Sequence, residues 1–283
     1  MDDIILNRRG FAASALATGF ALAVRPVSAQ TIITDDDGIV AGMVNVPVKD
    51  GTMGAYRALP KRDGSGTAYP VVLVIQEIFG VHEHIRDLCR RLAKQGYYAV
   101  APDLYFRQGD ATKVQDIPTL MKDIVSKVPD DQVLSDVDAT VAYVHGTGQG
   151  DTKRLAITGF CWGGRVVWLY AAHNPDLKAG AAWYGRLVGN TNELQPKNPI
   201  DLVDSLHAPV LGLYGGLDQG ITQDSVEQMR AALAKAGKTK SEITVFPDAG
   251  HGFNADYRPS YNPTDAKAAW GKMLEWFKKN GVG

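Results

Sequence analysis

The sequence predicts a doubly wound α/β domain with a mostly parallel sheet and an N-terminal antiparallel hairpin, and two observations carry that expectation. From residue 71 onward, short apolar runs alternate with helix-period segments, the order of parallel strands joined by crossover helices. Before them, residues 39–48 and 52–58 flank Asp50-Gly51, a hairpin signal between two extended runs.

Each element is justified in order. Residues 71–75, Val-Val-Leu-Val-Ile, form a continuous apolar run, as expected of a strand buried on both faces. Residues 84–95 read as a helix closed by Gly96, and residues 97–101 as the next strand. Val133, Val137, Val141 and Val144 fall at i, i+4, i+8 and i+11, one face of a helix. Strands are then expected at 154–158, 180–184, 209–214 and 242–246. Helices are expected at 162–173, 223–236 and 264–279, the last carrying Trp270, Trp276 and Phe277. Residues 61–67 form a Gly/Ser-rich surface loop, and no Pro/Ser linker divides the chain after residue 30. One domain over 30–283 is the simplest reading.

The first 29 residues stand apart. Asn7-Arg8-Arg9-Gly10-Phe11 precedes an uncharged stretch, residues 12–24, and then Val27-Ser28-Ala29. A basic start, a short apolar run and small residues before a cleavage point are the parts of a secretory signal. The paired arginines make it resemble a twin-arginine signal. The apolar run is well short of the roughly 20 residues that span a bilayer. Removing 29 of the 283 residues leaves 254, with 27 basic and 29 acidic side chains and a charge of −2. The expectation is export by the twin-arginine translocase, signal removal, and a periplasmic or secreted protein with no membrane association afterwards. That route exports folded chains, so a reactive thiol would be enclosed before it met an oxidising compartment.

Composition excludes several classes. The full chain carries 30 basic and 31 acidic residues, so it lacks the basic excess expected of a nucleic-acid binder. Two cysteines, Cys89 and Cys161, make neither a disulfide framework nor a structural zinc site. His82-Glu83-His84 lacks the i, i+4 spacing of a helical zinc site, and neither a metal nor a cofactor is expected.

The segment that carries chemistry is Gly159-Phe160-Cys161-Trp162-Gly163-Gly164, between an expected strand and an expected helix. Gly-x-nucleophile-x-Gly makes a turn so tight that larger residues at the flanking positions would collide. Here the nucleophile position holds cysteine, at a helix N-terminus where the macrodipole favours a thiolate. Such a nucleophile needs a base oriented by an acid, met along the chain in the order nucleophile, acid, histidine. Asp218 follows the strand that ends in Tyr214-Gly215-Gly216, and His251 lies in Gly250-His251-Gly252-Phe253 after the last strand. Asp248 is a rival acid, but it sits too near His251 in sequence to reach the far ring nitrogen easily. In sheets with such an elbow, the oxyanion hole takes one N–H from the residue after the nucleophile and one from the loop after an early buried strand. Those positions are Trp162 and Ile78. Glu77 ends the first buried strand and is expected to face the site or a buried partner. Tyr105, Phe106, Trp162, Trp183 and Tyr184 could line a pocket or fill the core. Arg165 reads equally as support behind the site or as surface, and Cys89 as a packed helix residue.

With these residues in place, the chain resembles the dienelactone hydrolase (carboxymethylenebutenolidase) family of α/β-hydrolases. The matching segments are Gln76-Glu77-Ile78-Phe79-Gly80, Ala101-Pro102-Asp103-Leu104-Tyr105-Phe106-Arg107, the elbow, Tyr184-Gly185, Tyr214-Gly215-Gly216-Leu217-Asp218-Gln219-Gly220 and Gly250-His251-Gly252-Phe253. The resemblance covers roughly residues 38–279. It implies the α/β-hydrolase fold and a Cys-His-Asp triad of Cys161, His251 and Asp218. It also implies a glutamate, here Glu77, that contacts the thiol at rest and takes part in activating it. In the family two arginines hold a substrate carboxylate. One matches Arg107. The other falls at Ala255, leaving Arg258, three residues further on, as the candidate replacement.

The expected function is a cysteine hydrolase of small lactones or esters, acting through an acyl-enzyme. The alternatives are a broader carboxylesterase or acyl transferase of the same fold, and a non-catalytic binding protein built on it. The expected partner is a small-molecule substrate, with no nucleic acid.

Overall fold

The computed structural model describes residues 31–61 and 66–283; the expected signal segment and part of the loop at 61–67 lie outside the described residues. Eight strands form one sheet in the order β1-β2-β4-β3-β5-β6-β7-β8. They are β1 (Ile39–Val48), β2 (Gly51–Pro60), β3 (Tyr69–Ile75), β4 (Tyr98–Pro102), β5 (Gly150–Phe160), β6 (Ala179–Trp183), β7 (Val210–Gly215) and β8 (Glu242–Phe246). β1 and β2 pair antiparallel through a tight turn at Lys49-Asp50, with Val48 opposite Gly51, and β2 pairs antiparallel with β4. From β4 to β8 every pairing is parallel. The chain folds as the expected α/β-hydrolase, with its hairpin at one edge.

The α-helices are α1 (Glu83–Lys94), α2 (Ile117–Asp123), α3 (Asp130–Gly146), α4 (Trp162–His173), α5 (Gln223–Lys235) and α6 (Pro263–Lys279). Helix α2 answers to no expectation above: its start is set by the Asp116 side chain capping the Thr119 N–H and by Pro118 in the first turn, not by an apolar period. The apolar run of β3 is read out on both faces. Val71, Leu73 and Ile75 join Val133, Val137 and Val144 of α3, Val166 and Val167 of α4 and Met229 of α5. Val72 and Val74 join Ile85, Leu88 and Leu92 of α1 and Met273, Trp276 and Phe277 of α6. All five of these β3 side chains are fully buried, so truncating any one to alanine is worth about 2–4 kcal/mol. Cys89 belongs to the α1 side of this core, and burial pushes its thiol pKa up, which keeps it neutral. No helix among the described residues is long and apolar enough to cross a membrane.

Candidate active site

The parallel strands deliver their C-terminal ends to one edge, where ligands bind in open α/β sheets. Cys161 leaves β5 there with φ 54° and ψ −111°, outside the ordinary regions for a side-chain-bearing residue, and α4 starts at the next residue. The strain, on the order of 1–3 kcal/mol, is held by packing too close for relaxation. A Cβ on Gly159 would lie 2.3 Å from the Gly163 carbonyl oxygen, and one on Gly163 would lie 2.5 Å from the carbonyl oxygens of Ile75 and Gln76. The Cys161 N–H donates to the Trp183 carbonyl at 3.0 Å, pinning the turn to β6.

Asp218, only 5% exposed, stands just past β7. Its Oδ1 accepts from the Gly220 N–H at 2.8 Å and the Ile221 N–H at 3.0 Å, and its Oδ2 meets His251 Nδ1 at 2.8 Å. Burial alone would raise the Asp218 pKa; His251 and the two backbone N–H groups outweigh burial and lower it. With Nδ1 committed to Asp218, the other imidazole nitrogen is the one available to the Cys161 thiol. Burial works against a charged His251, yet its interactions with Asp218 and Cys161 win and raise its pKa to about 10. Three residues far apart in the chain are thus brought to one edge of the sheet. The rival Asp248 is exposed and takes no part.

Neither proposed oxyanion donor is spent on a backbone partner among the described residues: the Ile78 N–H lies in the loop after β3, and the Trp162 N–H is the first of α4. Trp162 packs its ring against the fully buried Tyr105, centroids 4.9 Å apart. Tyr184, the second non-glycine residue with positive φ, at 39°, lays its ring against His251 at 5.2 Å. The buried Tyr184 hydroxyl lacks a hydrogen-bond partner among the described residues, as does the Trp162 indole N–H. A polar substrate entering the site would find these groups unspent.

Glu77 is 1% exposed and is held by groups that no motif announced. Its Oε2 accepts from the Tyr257 hydroxyl at 2.5 Å and lies 3.3 Å from His82 Nε2. Burial would raise the Glu77 pKa, but the His82 hydrogen bond, with His84 and Arg258 nearby, keeps it below the usual carboxylate range. Burial pulls the His82 pKa down, with Glu77 acting in the opposite direction. The hydrogen bond to the thiol that the family resemblance implies is not made among the described residues: Oε2 accepts from Tyr257, and the buried Oε1 has no hydrogen-bond partner. His84 pairs instead with Asp256, Nδ1 to Oδ1 at 3.2 Å, so the two histidines serve different carboxylates. Tyr257 sits between their rings, 5.1 Å from His82 and 5.2 Å from His84.

The two arginines part company. Arg107 is corrected as a substrate-binding candidate. Its guanidinium bonds to Asp50 in the β1–β2 turn through Nε at 2.7 Å, and to Asp136 of α3 at 2.6 Å and 3.0 Å. Two carboxylates leave it no charge to offer a third. Arg258 is half-buried, its Cζ 5.7 Å from the Phe79 ring centroid, and no carboxylate among the described residues pairs with it. Burial disfavours its charge, and the electronegative surroundings of Glu77, Tyr257, Cys161 and Tyr184 restore it. Arg165 is buried behind the elbow, gripping Asp130 at 2.6 Å and 2.7 Å and the Lys197 carbonyl at 2.7 Å.

The dienelactone hydrolase family model matches residues 53–281. A protein of Methylorubrum extorquens named "Putative carboxymethylenebutenolidase" is 58% identical over 278 residues, covering 98% of this chain and 94% of the relative. A Bradyrhizobium protein named "Probable 2-oxo-3-(5-oxofuran-2-ylidene)propanoate lactonase" is 30% identical over 227 residues, covering 79% and 88%. Among solved structures, a Klebsiella pneumoniae protein described as "Putative Dienelactone Hydrolase" superposes with TM-score 0.82 at 57% identity, covering 85% of this chain and 99% of that one.

Proposed function

The chain belongs to the dienelactone hydrolase family and is an ester or lactone hydrolase, and we propose that it works through Cys161, His251 and Asp218 by way of an acyl-enzyme. The observation that supports this reading is the 2.8 Å bond from His251 Nδ1 to Asp218, with the Cys161 thiol near enough to help raise the His251 pKa. His251 carries the thiol proton, and Cys161 Sγ attacks the substrate carbonyl. The tetrahedral oxyanion accepts from the N–H groups of Ile78 and Trp162, each donor worth about 3 kcal/mol in the transition state. The protonated His251 returns its proton to the leaving oxygen. It then takes a proton from water as that water attacks the thioester, releasing the acid and Cys161.

Arg258 is the one cation set beside the nucleophile without a carboxylate partner among the described residues, so it anchors an acidic group on the substrate. Arg107, neutralised by Asp50 and Asp136, does not add a second anchor. One anchor in place of two favours a wider range of acyl groups than a strict dienelactone site, which keeps a broad carboxylesterase as the second reading. The signal-like residues 1–29 support export and a periplasmic or secreted location for residues 30–283.

The test pairs a neutral aryl ester with a lactone bearing a free carboxylate, using the wild type, Cys161→Ala and Arg258→Gln. Cys161→Ala is expected to abolish both activities. Arg258→Gln is expected to lower kcat/KM for the acidic lactone by about 10–100-fold, the worth of one charged hydrogen bond, and to spare the neutral ester. Equal loss on both substrates would remove the anchor. Activity persisting in Cys161→Ala would remove the nucleophile.

A further inference from the structure

The carboxylate nearest in sequence to the oxyanion loop is not idle and makes no hydrogen bond to the thiol. Glu77 is bonded to Tyr257 at 2.5 Å and sits 3.3 Å from His82. The clamp is itself anchored. Tyr257 is wedged between the His82 and His84 rings, at 5.1 Å and 5.2 Å. Its chain neighbour Asp256, fully buried, bonds to His84 at 3.2 Å and to Arg91 of α1 at 2.5 Å. Arg91 in turn holds Asp87, one turn earlier on the same helix, at 2.6 Å. The loop after β8 is thereby bolted to α1 beside Tyr257, and the phenol oxygen has little freedom to move. Beside the clamp, Glu77 also faces Arg258 and Tyr184, and Cys161 faces His251, Tyr105, Tyr184 and Arg258.

We propose that Tyr257 and His82 are positioning residues: they latch Glu77 onto themselves, so that the thiol's standing partner is His251 before any substrate arrives. A carboxylate beside a thiol disfavours the thiolate; with Oε2 bonded to the Tyr257 hydroxyl beside the His82 ring, Glu77 is turned toward that pair and away from that role. The site is primed at rest, and the anchored loop rather than the substrate sets that state. This rests on Cys161 being the nucleophile.

The experiment is the rate of iodoacetamide labelling of Cys161 in the full chain between about pH 5 and pH 9, read by mass spectrometry, since Cys89 is fully buried and does not compete. Tyr257→Phe removes one oxygen and keeps the ring between the histidines. It is expected to move the labelling midpoint up by about one unit, a roughly tenfold slower reaction at low pH. His82→Gln is expected to shift it in the same direction. On a Glu77→Gln background, where no carboxylate remains to be released, Tyr257→Phe is expected to shift nothing. A reactive Cys161 whose profile Tyr257→Phe leaves in place, even with lowered turnover, overturns the latch and leaves the nucleophile standing. A shift that persists on the Glu77→Gln background also overturns it, because the effect would not pass through Glu77. A Cys161 that labels no faster than an ordinary thiol at any pH overturns both.

Discussion

His251 Nδ1 and Asp218 Oδ2 stand 2.8 Å apart, and that single bond leaves Nε2 as the imidazole nitrogen not committed to the acid. The acid is locked from its other side by the Gly220 and Ile221 N–H groups, so the imidazole cannot turn without breaking a part-buried, charge-assisted pair.

Replacing Asp218 with Asn keeps the shape and reverses the proton logic. The amide can donate where the carboxylate accepted, favouring the wrong tautomer of His251. A loss in kcat on the order of 10³–10⁴-fold is expected, by analogy with the same change in a serine triad. Thermal unfolding should show the chain still folded. A loss under tenfold would mean that another group orients the imidazole.

Stability should carry the signature of His251. Its pKa is raised to about 10 in the folded chain against an ordinary value near 6.5. The folded state therefore binds the proton more tightly, so the contribution is fully present below about pH 6.5 and is lost as pH climbs through about 10. Urea midpoints of the wild type and His251→Gln should differ most at pH 6 and converge toward pH 10. A gap that widens with rising pH would contradict the assignment.

Two glycines on helices should respond with opposite signs. Gly163→Ala drives a methyl to 2.5 Å from two backbone oxygens at the end of β3, where nothing flexible can yield. A cost on the order of 3 kcal/mol is expected, a fall in Tm of about 6–12 °C, with activity lost as the elbow opens. Gly271, inside α6, has open space at the same position. Gly271→Ala should stabilise by about 0.5–1 kcal/mol and leave turnover alone. Calorimetry on both variants checks the pair.

Arg107 should behave as a structural residue. Arg107→Ala strands Asp136, 2% exposed on α3, and frees the β1–β2 turn. A destabilisation of about 1–3 kcal/mol is expected from the orphaned carboxylate, with kcat/KM for an acidic lactone within about twofold of wild type. A large, substrate-selective rise in KM would return Arg107 to the binding site.

Local patterns in the chain were enough to specify the layered sheet and the elbow. β3 must be buried on both faces because Val71 to Ile75 offer no polar side to water. Cys161 must stand on a tight turn because the glycines around it keep side chains out of that turn. Cys161, Asp218 and His251, the proposed triad, were legible because each lies beyond a strand end, and strand ends gather at one edge of a parallel sheet. All of these are short-range constraints. Which charges are spent, by contrast, was settled only when the chain closed on itself. Arg107 is neutralised by partners 57 and 29 positions away, and Glu77 is clamped by Tyr257, 180 positions away. No carboxylate among the described residues pairs with Arg258, which is why it is proposed as the substrate anchor. Such pairings have no period and no spacing, since Coulomb and hydrogen-bond partners are chosen by proximity in space once the sheet has formed. The matching of Arg107 to a family position therefore pointed to a substrate carboxylate, whereas the partners it meets in the fold are Asp50 and Asp136.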